Sequence, residues 1–365
     1  MKHPRPPFEI PRRASLAATT AAAIRQGIAA GCWRDYLPTE RRLEEMFQVS
    51  RPTLRVALHL LAAEQLVEIR PGQGTRLRHR QAQPARERNR LVVLISHQPV
   101  PELGVTYDGV SEMRTHLAKQ GFDTATLLCR TTGPAAQRLV ANYLRRNRVF
   151  CSVLLSVSEH IQRWFSTRGL PALVIGSCHP HVKLPSLDFD NRLICRHAAG
   201  VFLRRGHRRL ALIVPDSGLA GDLVSEQGFL AAITDHRGRP RAEGRIVHHD
   251  GTAANLIARL DALLRSASPP TALLIANIEE VFIVLMHLIR RGLAVPDSVS
   301  FIARDHHRIF DTVVPAVAHY RPKAGAFEHR LSRLMLQMVG QGYLKPEPTL
   351  IVPSFVAGGT IQTLA

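Results

Sequence analysis

The sequence predicts an α/β protein of two modules, a small helical one that ends in a basic β-ribbon and a larger one built from two similar α/β lobes. Three observations lead there. Residues Leu37 to Leu77 read as two short helices, a sharp turn and a ribbon. From Leu91 onward, short apolar runs alternate with helical stretches. Between the two, Arg78 to Arg90 is polar and arginine-rich, carries Pro84, and has no face to bury, which marks a solvated linker whose arginines can also touch phosphates. The expected boundaries are 1–78 for the first module, 79–90 for the linker and 91–365 for the second.

A helix from about Leu16 to Ala30 precedes the pair. The first helix of the pair starts after Leu37-Pro38, with Thr39 as N-cap, and runs to about Phe47. Its apolar positions Leu43, Met46 and Phe47 are three to four apart and define a buried face. Gln48-Val49 makes a tight connection. Ser50 then caps the second helix, and Pro52 sits in its first turn, where a missing N–H does little harm. Leu54, Ala57, Leu58 and Leu61 form the buried stripe of that helix, and Arg51, Thr53 and Arg55 begin its other face. Two strands, Leu66 to Ile69 and Thr75 to Leu77, are joined through Arg70-Pro71-Gly72-Gln73-Gly74, where glycine permits positive φ and close backbone approach to a groove.

This is the layout of a winged helix-turn-helix. Such a unit presents the N-terminal residues of its second helix to base edges and phosphates, and arginine suits guanine and phosphate oxygens best. Arg51 and Arg55 are therefore the first candidates for DNA contact. Charge agrees: the chain has 48 Lys and Arg against 29 Asp and Glu, and residues 1–90 hold 17 against 8, so the positive charge is densest in the first module.

The run LPTERRLEEMFQVSRPTLRVAL, followed by AEQLVEIRPGQGT, resembles the DNA-binding domain of the GntR family of bacterial transcription regulators over about residues 15–78. The resemblance implies DNA contacts from Arg41, Arg51, Thr53, Arg55 and the wing glycines Gly72 and Gly74. Ser50 and Gln73, in the same two loops, complete the candidate set. Between Gly31 and Leu37 the segment CWRDY is shorter than the family's usual turn and lacks its glycine.

In the second module, Leu91 to Ile95, Thr124 to Leu128, Ser152 to Leu155, Ala172 to Ile175, Leu210 to Val214, Arg245 to His248, Ala272 to Ile275 and Val299 to Ile302 read as buried strands. Helices are expected at Tyr107 to Gln120, Pro134 to Arg145, Ile194 to Arg205, Glu226 to Asp235, Ala253 to Arg265 and Glu279 to Arg291. Repeated strand-helix-strand units give right-handed crossovers and parallel sheets covered on both faces. Ligands in such folds bind at the carboxyl ends of the strands, and between two lobes that means the cleft.

Four segments, Asp188 to Ile213, Gly228 to Ile233, Pro269 to His307 and Val313 to Gly325, resemble the sensor domain of LacI/GalR-type repressors, which is similar to periplasmic sugar-binding proteins of type I. A GntR-type head on such a sensor is similar to the arrangement of arabinose-type repressors. The resemblance implies a two-lobed, periplasmic-binding-protein-like domain that takes a small-molecule effector, possible sugars and sugar derivatives included, and that pairs as a homodimer. The departures fall at the effector positions. Ser225 stands where the family carries a clamping arginine, and Asn277-Ile278 replaces Asn-Asp. Asp305-His306 replaces paired acids, and Ala357-Gly358-Gly359-Thr360 replaces an Arg-x-Ser-Thr pattern. The candidate effector residues are His97, Tyr107, Asp190, Ser225, Asn277, Asp305 and His306. Plainer roles stand beside these: Asp190 as a helix cap, Tyr107 as core or surface, His97 as a loop residue.

No apolar run reaches the ~18 residues of a membrane span, and no secretion signal is read at the N-terminus. Cys32, Cys129, Cys151, Cys178 and Cys195 are odd in number and unpaired in pattern, which suits reduced thiols in the cytoplasm. Cys178-His179-Pro180-His181 is the densest metal-ligand cluster, but adjacent pairs such as His248-His249 and His306-His307 point to opposite faces of a strand, and no HExxH or CxxC pair occurs. No GxSxG, P-loop or Rossmann glycine motif is present, so no metal, cofactor or catalytic activity is expected. The functional expectation is a cytoplasmic, effector-controlled repressor acting as a homodimer on double-stranded operator DNA. The alternative is an effector-independent DNA-binding regulator whose larger module only dimerises.

Overall fold

The computed structural model describes residues 15–29, 33, 36–64, 66–70, 74–77, 90–97 and 105–364. Gly72, Gln73, the side chain of Tyr107 and all of the expected linker except Arg90 lie outside the described residues. The chain divides into two compact units, Met1–Arg88 and Asn89–Ala365.

The first unit comprises α1 (Leu16–Ala29), α2 (Glu40–Phe47), α3 (Arg51–Ala63), β1 (Val67–Arg70) and β2 (Gly74–Leu77). Ala17, Thr20, Ala21 and Ile24, spaced three to four apart, bury one face of α1, and Leu54, Ala57, Leu58 and Leu61 bury the expected stripe of α3. These meet Leu37, Leu43, Val49, Val67 and Leu77 in one core. Trp33 packs over α1, where a Cβ on Gly27 would stand 2.7 Å from its ring. Thr39 caps α2 by accepting from the Arg42 N–H, and Gln48 closes it in the left-handed region at φ 51°. The ribbon β1–β2 is antiparallel, with Val67 opposite Leu77, and Tyr36 adds a bridge to Arg76.

Two details differ from the sequence reading. Met46 is 52% exposed, because Leu43 and Phe47, one turn apart, already fill the inward face of a helix only two turns long. Ser50 occupies the N-cap position of α3 but makes no side-chain cap bond; its hydroxyl pairs with that of Thr53 at 2.9 Å.

The second unit alternates strands and helices. Its first lobe has β3 (Leu91–Ser96), α4 (Val105–Lys119), β4 (Asp123–Leu128), α5 (Gly133–Arg146), β5 (Val149–Leu155), α6 (Glu159–Arg168), β6 (Ala172–Ile175) and β7 (Ser186–Phe189). The second lobe has α7 (Asn191–Arg204), β8 (Arg209–Pro215), α8 (Ala220–Asp235), β9 (Glu243–His249), α9 (Ala253–Leu264), β10 (Ala272–Ile275), α10 (Ile278–Arg290), β11 (Ser300–Ala303) and β12 (His319–Arg321). The chain then returns through α11 (Ala326–Gln341) and β13 (Pro348–Ile351) to the first lobe and ends with β14 (Ser354–Val356) in the second.

Two six-stranded sheets result, ordered β13-β7-β6-β5-β3-β4 and β14-β12-β11-β10-β8-β9, parallel except for β14. Each is covered on both faces, so the central strands are mostly apolar. The first sheet lies between a core of α4 and α11 side chains and one of α5 and α6 side chains. The second lies between a core shared with α7 and α8 and one shared with α9 and α10. Helices α7 and α8 approach closely at Gly228, where a Cβ would stand 2.1 Å from the Arg192 carbonyl oxygen, so only glycine fits. Three segments join the lobes: after Phe189, between Arg321 and Ala326, and between Ile351 and Ser354.

The alternation of strands and helices holds, but the structure adds α6, α11 and the strands β7, β12, β13 and β14 to those expected, with two further corrections. Helix α8 starts at Ala220, six residues before the expected Glu226. The helix is cut short in sequence because Gly221, Asp222 and Ser225 break its apolar pattern. His306 and His307 lie beyond the end of β11 and not on a strand. Among the described residues, no helix is long and apolar enough to cross a membrane.

Candidate nucleic-acid interface and ligand site

On the first unit, the N-terminal turn of α3 gathers the candidate contact residues. Arg51 and Arg55 are one turn apart, 62% and 56% exposed, and both donate through Nε to the same oxygen of Glu40, at 3.1 and 3.2 Å. Glu44 stands 3.9 Å from Arg51. Partial burial of Glu40 opposes its ionisation, but the two arginine bonds outweigh that and hold its carboxyl below the ordinary range. One carboxylate from the start of α2 thus fixes two guanidinium groups side by side. Each arginine uses only its Nε in this pairing, which leaves both Nη groups able to meet base edges or phosphates. Thr53 is held by Ser50, and Arg41, 91% exposed, is loosely paired with Glu45 at 3.5 Å. Gly74 opens β2 at φ 87°, a conformation that favours glycine. Glu40 was missed in the sequence because only the packing of α2 against α3 brings it to the arginines.

On the second unit, polar residues cluster at the carboxyl ends of β8, β10 and β11, beside the crossover that follows β7. Their centre is Arg304, immediately after β11 and 8% exposed. Its Nε donates to Asp305 Oδ1 at 3.0 Å, and Nη1 to Ser225 Oγ at 3.0 Å and Asp222 Oδ1 at 3.4 Å. Nη2 donates to Asn277 Oδ1 at 3.4 Å and Asp305 Oδ2 at 3.5 Å. Burial works against the charge on Arg304, but Asp305 and Asp222 overcome it and raise its pKa. Arg304 was not among the expected site residues, since nothing in an apolar strand followed by Arg-Asp says which way the arginine turns.

Three expected effector residues are consequently engaged by the protein itself. Ser225 is fully buried within α8, donating to the Gly221 carbonyl and accepting from Arg304, so it presents nothing to solvent. Asn277 precedes α10, where its backbone and side-chain N–H groups both donate to Glu280. Asp305 holds Arg304 with both oxygens. Asp190 caps α7 by accepting from the Leu193 N–H at 2.9 Å. His97, exposed after β3, bonds the Cys129 carbonyl at 3.2 Å in the first lobe. His306 stacks on buried His319 with ring centroids 5.0 Å apart, and burial lowers the pKa of both. Thr360 is buried and bridges the Phe301 carbonyl and the Ala318 N–H, which gives the terminal Gly-Gly-Thr a structural role.

Asp188, another residue the sequence did not single out, is the last residue but one of β7, at the crossover. It accepts from Ser177 Oγ at 2.6 Å, Phe189 N at 2.8 Å and Asn191 Nδ2 at 3.4 Å. Burial pushes its carboxyl from 3.8 up to about 6, with these bonds and Arg304 only partly offsetting it. A carboxyl raised on folding favours the folded state when protonated; that contribution is complete below the unfolded pKa and is lost as pH rises through about 6. Between pH 4 and pH 8 the wild type is therefore expected to lose about 2 kcal/mol relative to Asp188→Asn, which does not titrate. Denaturant unfolding of both proteins at the two pH values checks this, and a difference that stays constant contradicts it.

Burial pushes the thiols of Cys151 up to about 12 and of Cys178 and Cys195 up to about 11, so they stay protonated and unreactive. Among the described residues, no group of three His, Cys, Asp or Glu could hold a metal ion.

These two units have recognisable counterparts. Residues 16–77 match the bacterial regulatory proteins of the gntR family, and residues 199–361 match the periplasmic binding protein-like domain. The chain thus joins a GntR-type winged helix-turn-helix to a periplasmic-binding-protein-like α/β domain. Among curated proteins it is 21% identical over 187 residues to the "Probable HTH-type transcriptional repressor ExuR" of Bacillus subtilis, a match covering 48% of this chain and 56% of that protein. The chain thus spans little more than half the length of that relative. Among solved structures, a LacI family transcriptional regulator from Mycobacterium smegmatis has a TM-score of 0.60 at 20% identity, covering 74% of this chain and 99% of its own. A transcription regulator like protein from Staphylococcus haemolyticus has a TM-score of 0.63 at 13% identity over 76% of this chain and 100% of its own. The transcriptional regulator CelR, in complex with cellobiose, has a TM-score of 0.63 at 18% identity over 95% of this chain and 100% of its own. At these identities the structures share the fold.

Proposed function

We propose that this chain is a DNA-binding transcription regulator, a repressor, that acts in the cytoplasm as a homodimer on double-stranded operator DNA. Its operator affinity is set by a small-molecule, sugar-like effector taken at the carboxyl ends of the strands in the second unit. The observation that carries the DNA reading is the Arg51–Glu40–Arg55 arrangement on the exposed N-terminal turn of α3, beside Thr53. Arg41, Ser50, Gly72, Gln73 and Gly74 are proposed to complete the contact surface. Two copies would read half-sites separated by one or more helical turns of about 34 Å. Coupling of about 1–3 kcal/mol between effector and operator is enough for a switch.

His97, Tyr107, Asp190, Asn277, Asp305 and His306 are the proposed effector-side residues, with Ser225 now a buried support. The ligand-bound structure of CelR supports the placement of a ligand in this fold. A second reading, DNA binding without an effector, is favoured by one observation: Ser225, Asn277 and Asp305 are all occupied by Arg304. Competition binding separates specific from non-specific recognition. A regulator is expected to prefer its operator by about 10³-fold or more over unrelated duplex, and equal competition by all duplexes would remove the proposal.

A further inference from the structure

A guanidinium has five N–H donors in a fixed plane. In Arg304 all five are used within the protein: one on Asp305 Oδ1, two on Ser225 Oγ and Asp222 Oδ1, two on Asn277 Oδ1 and Asp305 Oδ2. None remains for a ligand. The acceptors around it are in surplus. Asp222, Asp305 and the nearby Asp188 give three carboxyl groups to one guanidinium, and each carboxylate has about four lone-pair sites. Asp305 spends two of these on Arg304 and keeps a side chain 36% exposed. The adjacent His306 is stacked on His319, and burial works against a positive charge on its ring.

We infer that this end of the second lobe selects its ligand by charge: it takes a neutral polyol or an amine-bearing sugar, a compound rich in donors, and rejects carboxylates and phosphates. The inference rests on the effector reading above and names the chemical class that reading leaves open. A hydroxyl or ammonium group finds unused lone pairs on Asp305. An anionic group meets Asp222, Asp305 and Asp188 with every Arg304 donor committed, and could bind only by breaking the bonds that pair buried Arg304 with Asp222 and Asp305. Arg304 is thus a specificity-determining residue that acts by holding the acidic groups in place and by withholding itself.

The test is a thermal-shift and calorimetric panel on the full-length protein. It uses glucose, galactose, arabinose and xylose, the corresponding 2-amino sugars of the hexoses, glucuronate and galacturonate, and the hexose 6-phosphates. The expected result is stabilisation by one or more neutral or amino compounds, none by the acids or phosphates, and a response weakened at least about tenfold, the size of one lost charge-assisted bond, in Asp305→Asn. Stabilisation by a uronate or a phosphate overturns the assignment while leaving the effector role standing. An undiminished response in Asp305→Asn places the ligand elsewhere and also overturns it. Silence across the whole panel removes the effector role itself, and this inference with it.

Discussion

Replacing Arg304 with methionine is expected to destabilise the second unit by about 3 kcal/mol, the low end for a broken buried pair, because Arg304 is buried while Asp222 and Asp305 keep part of their surface in water. The guanidinium ties the end of β11 to α8 through Asp222 and Ser225, and to the start of α10 through Asn277, so one substitution loosens three elements at once. The loss is mainly electrostatic. Adding Asp222→Asn and Asp305→Asn to Arg304→Met is therefore expected to recover most of it, because the uncompensated carboxylates are gone. Denaturant unfolding of the three proteins measures both effects. A loss below about 1 kcal/mol for the single variant would show that the network is no stronger than a surface ion pair. An equal loss in the combined variant would show that packing, not charge, is responsible.

Arg51→Ala should remove about 1–3 kcal/mol of base discrimination, the range for one well-placed arginine, and leave the fold intact. The separation of effects follows from exposure. Arg51 is 62% exposed, and its pairing with Glu40 is a surface ion pair worth little to stability. Its loss also frees Glu40 to hold Arg55 alone, so Arg55→Ala in the same background should cost less than the sum of the single changes. Operator titration against a scrambled duplex reads the discrimination, and thermal unfolding reads the fold. An unchanged operator preference in Arg51→Ala contradicts the proposed role.

Much of this molecule is legible in its sequence because the signals are local. The stripe Leu54, Ala57, Leu58 and Leu61 lies on one helical face by spacing alone, and all four are buried. The central strands β6 and β10 are apolar end to end because both faces of each sheet are covered. Thr39 and Asp190 act as caps because capping depends on a residue and the three that follow it.

What the sequence conceals depends on distant packing. Glu40 and Arg55 are fifteen residues apart and meet only because α2 lies against α3. Arg304 lies 79 residues from Ser225 in the chain, so the arginine missing from position 225 and the one that reaches it from β11 cannot be matched without the fold. Asp188 gives no sign in sequence of its place at the crossover, nor Ser225 of its burial inside α8. The polar cluster was therefore read residue by residue as depleted, when its charges are rearranged around a different arginine.

The central claim is that the first unit reads a particular DNA sequence. Selection of duplexes from a randomised pool by the purified full-length protein tests it most directly. The account predicts enrichment of one motif with two related half-sites, lost when Arg51 and Arg55 are both replaced by alanine. A selected pool no different from its input, or one unchanged by that double replacement, would contradict it.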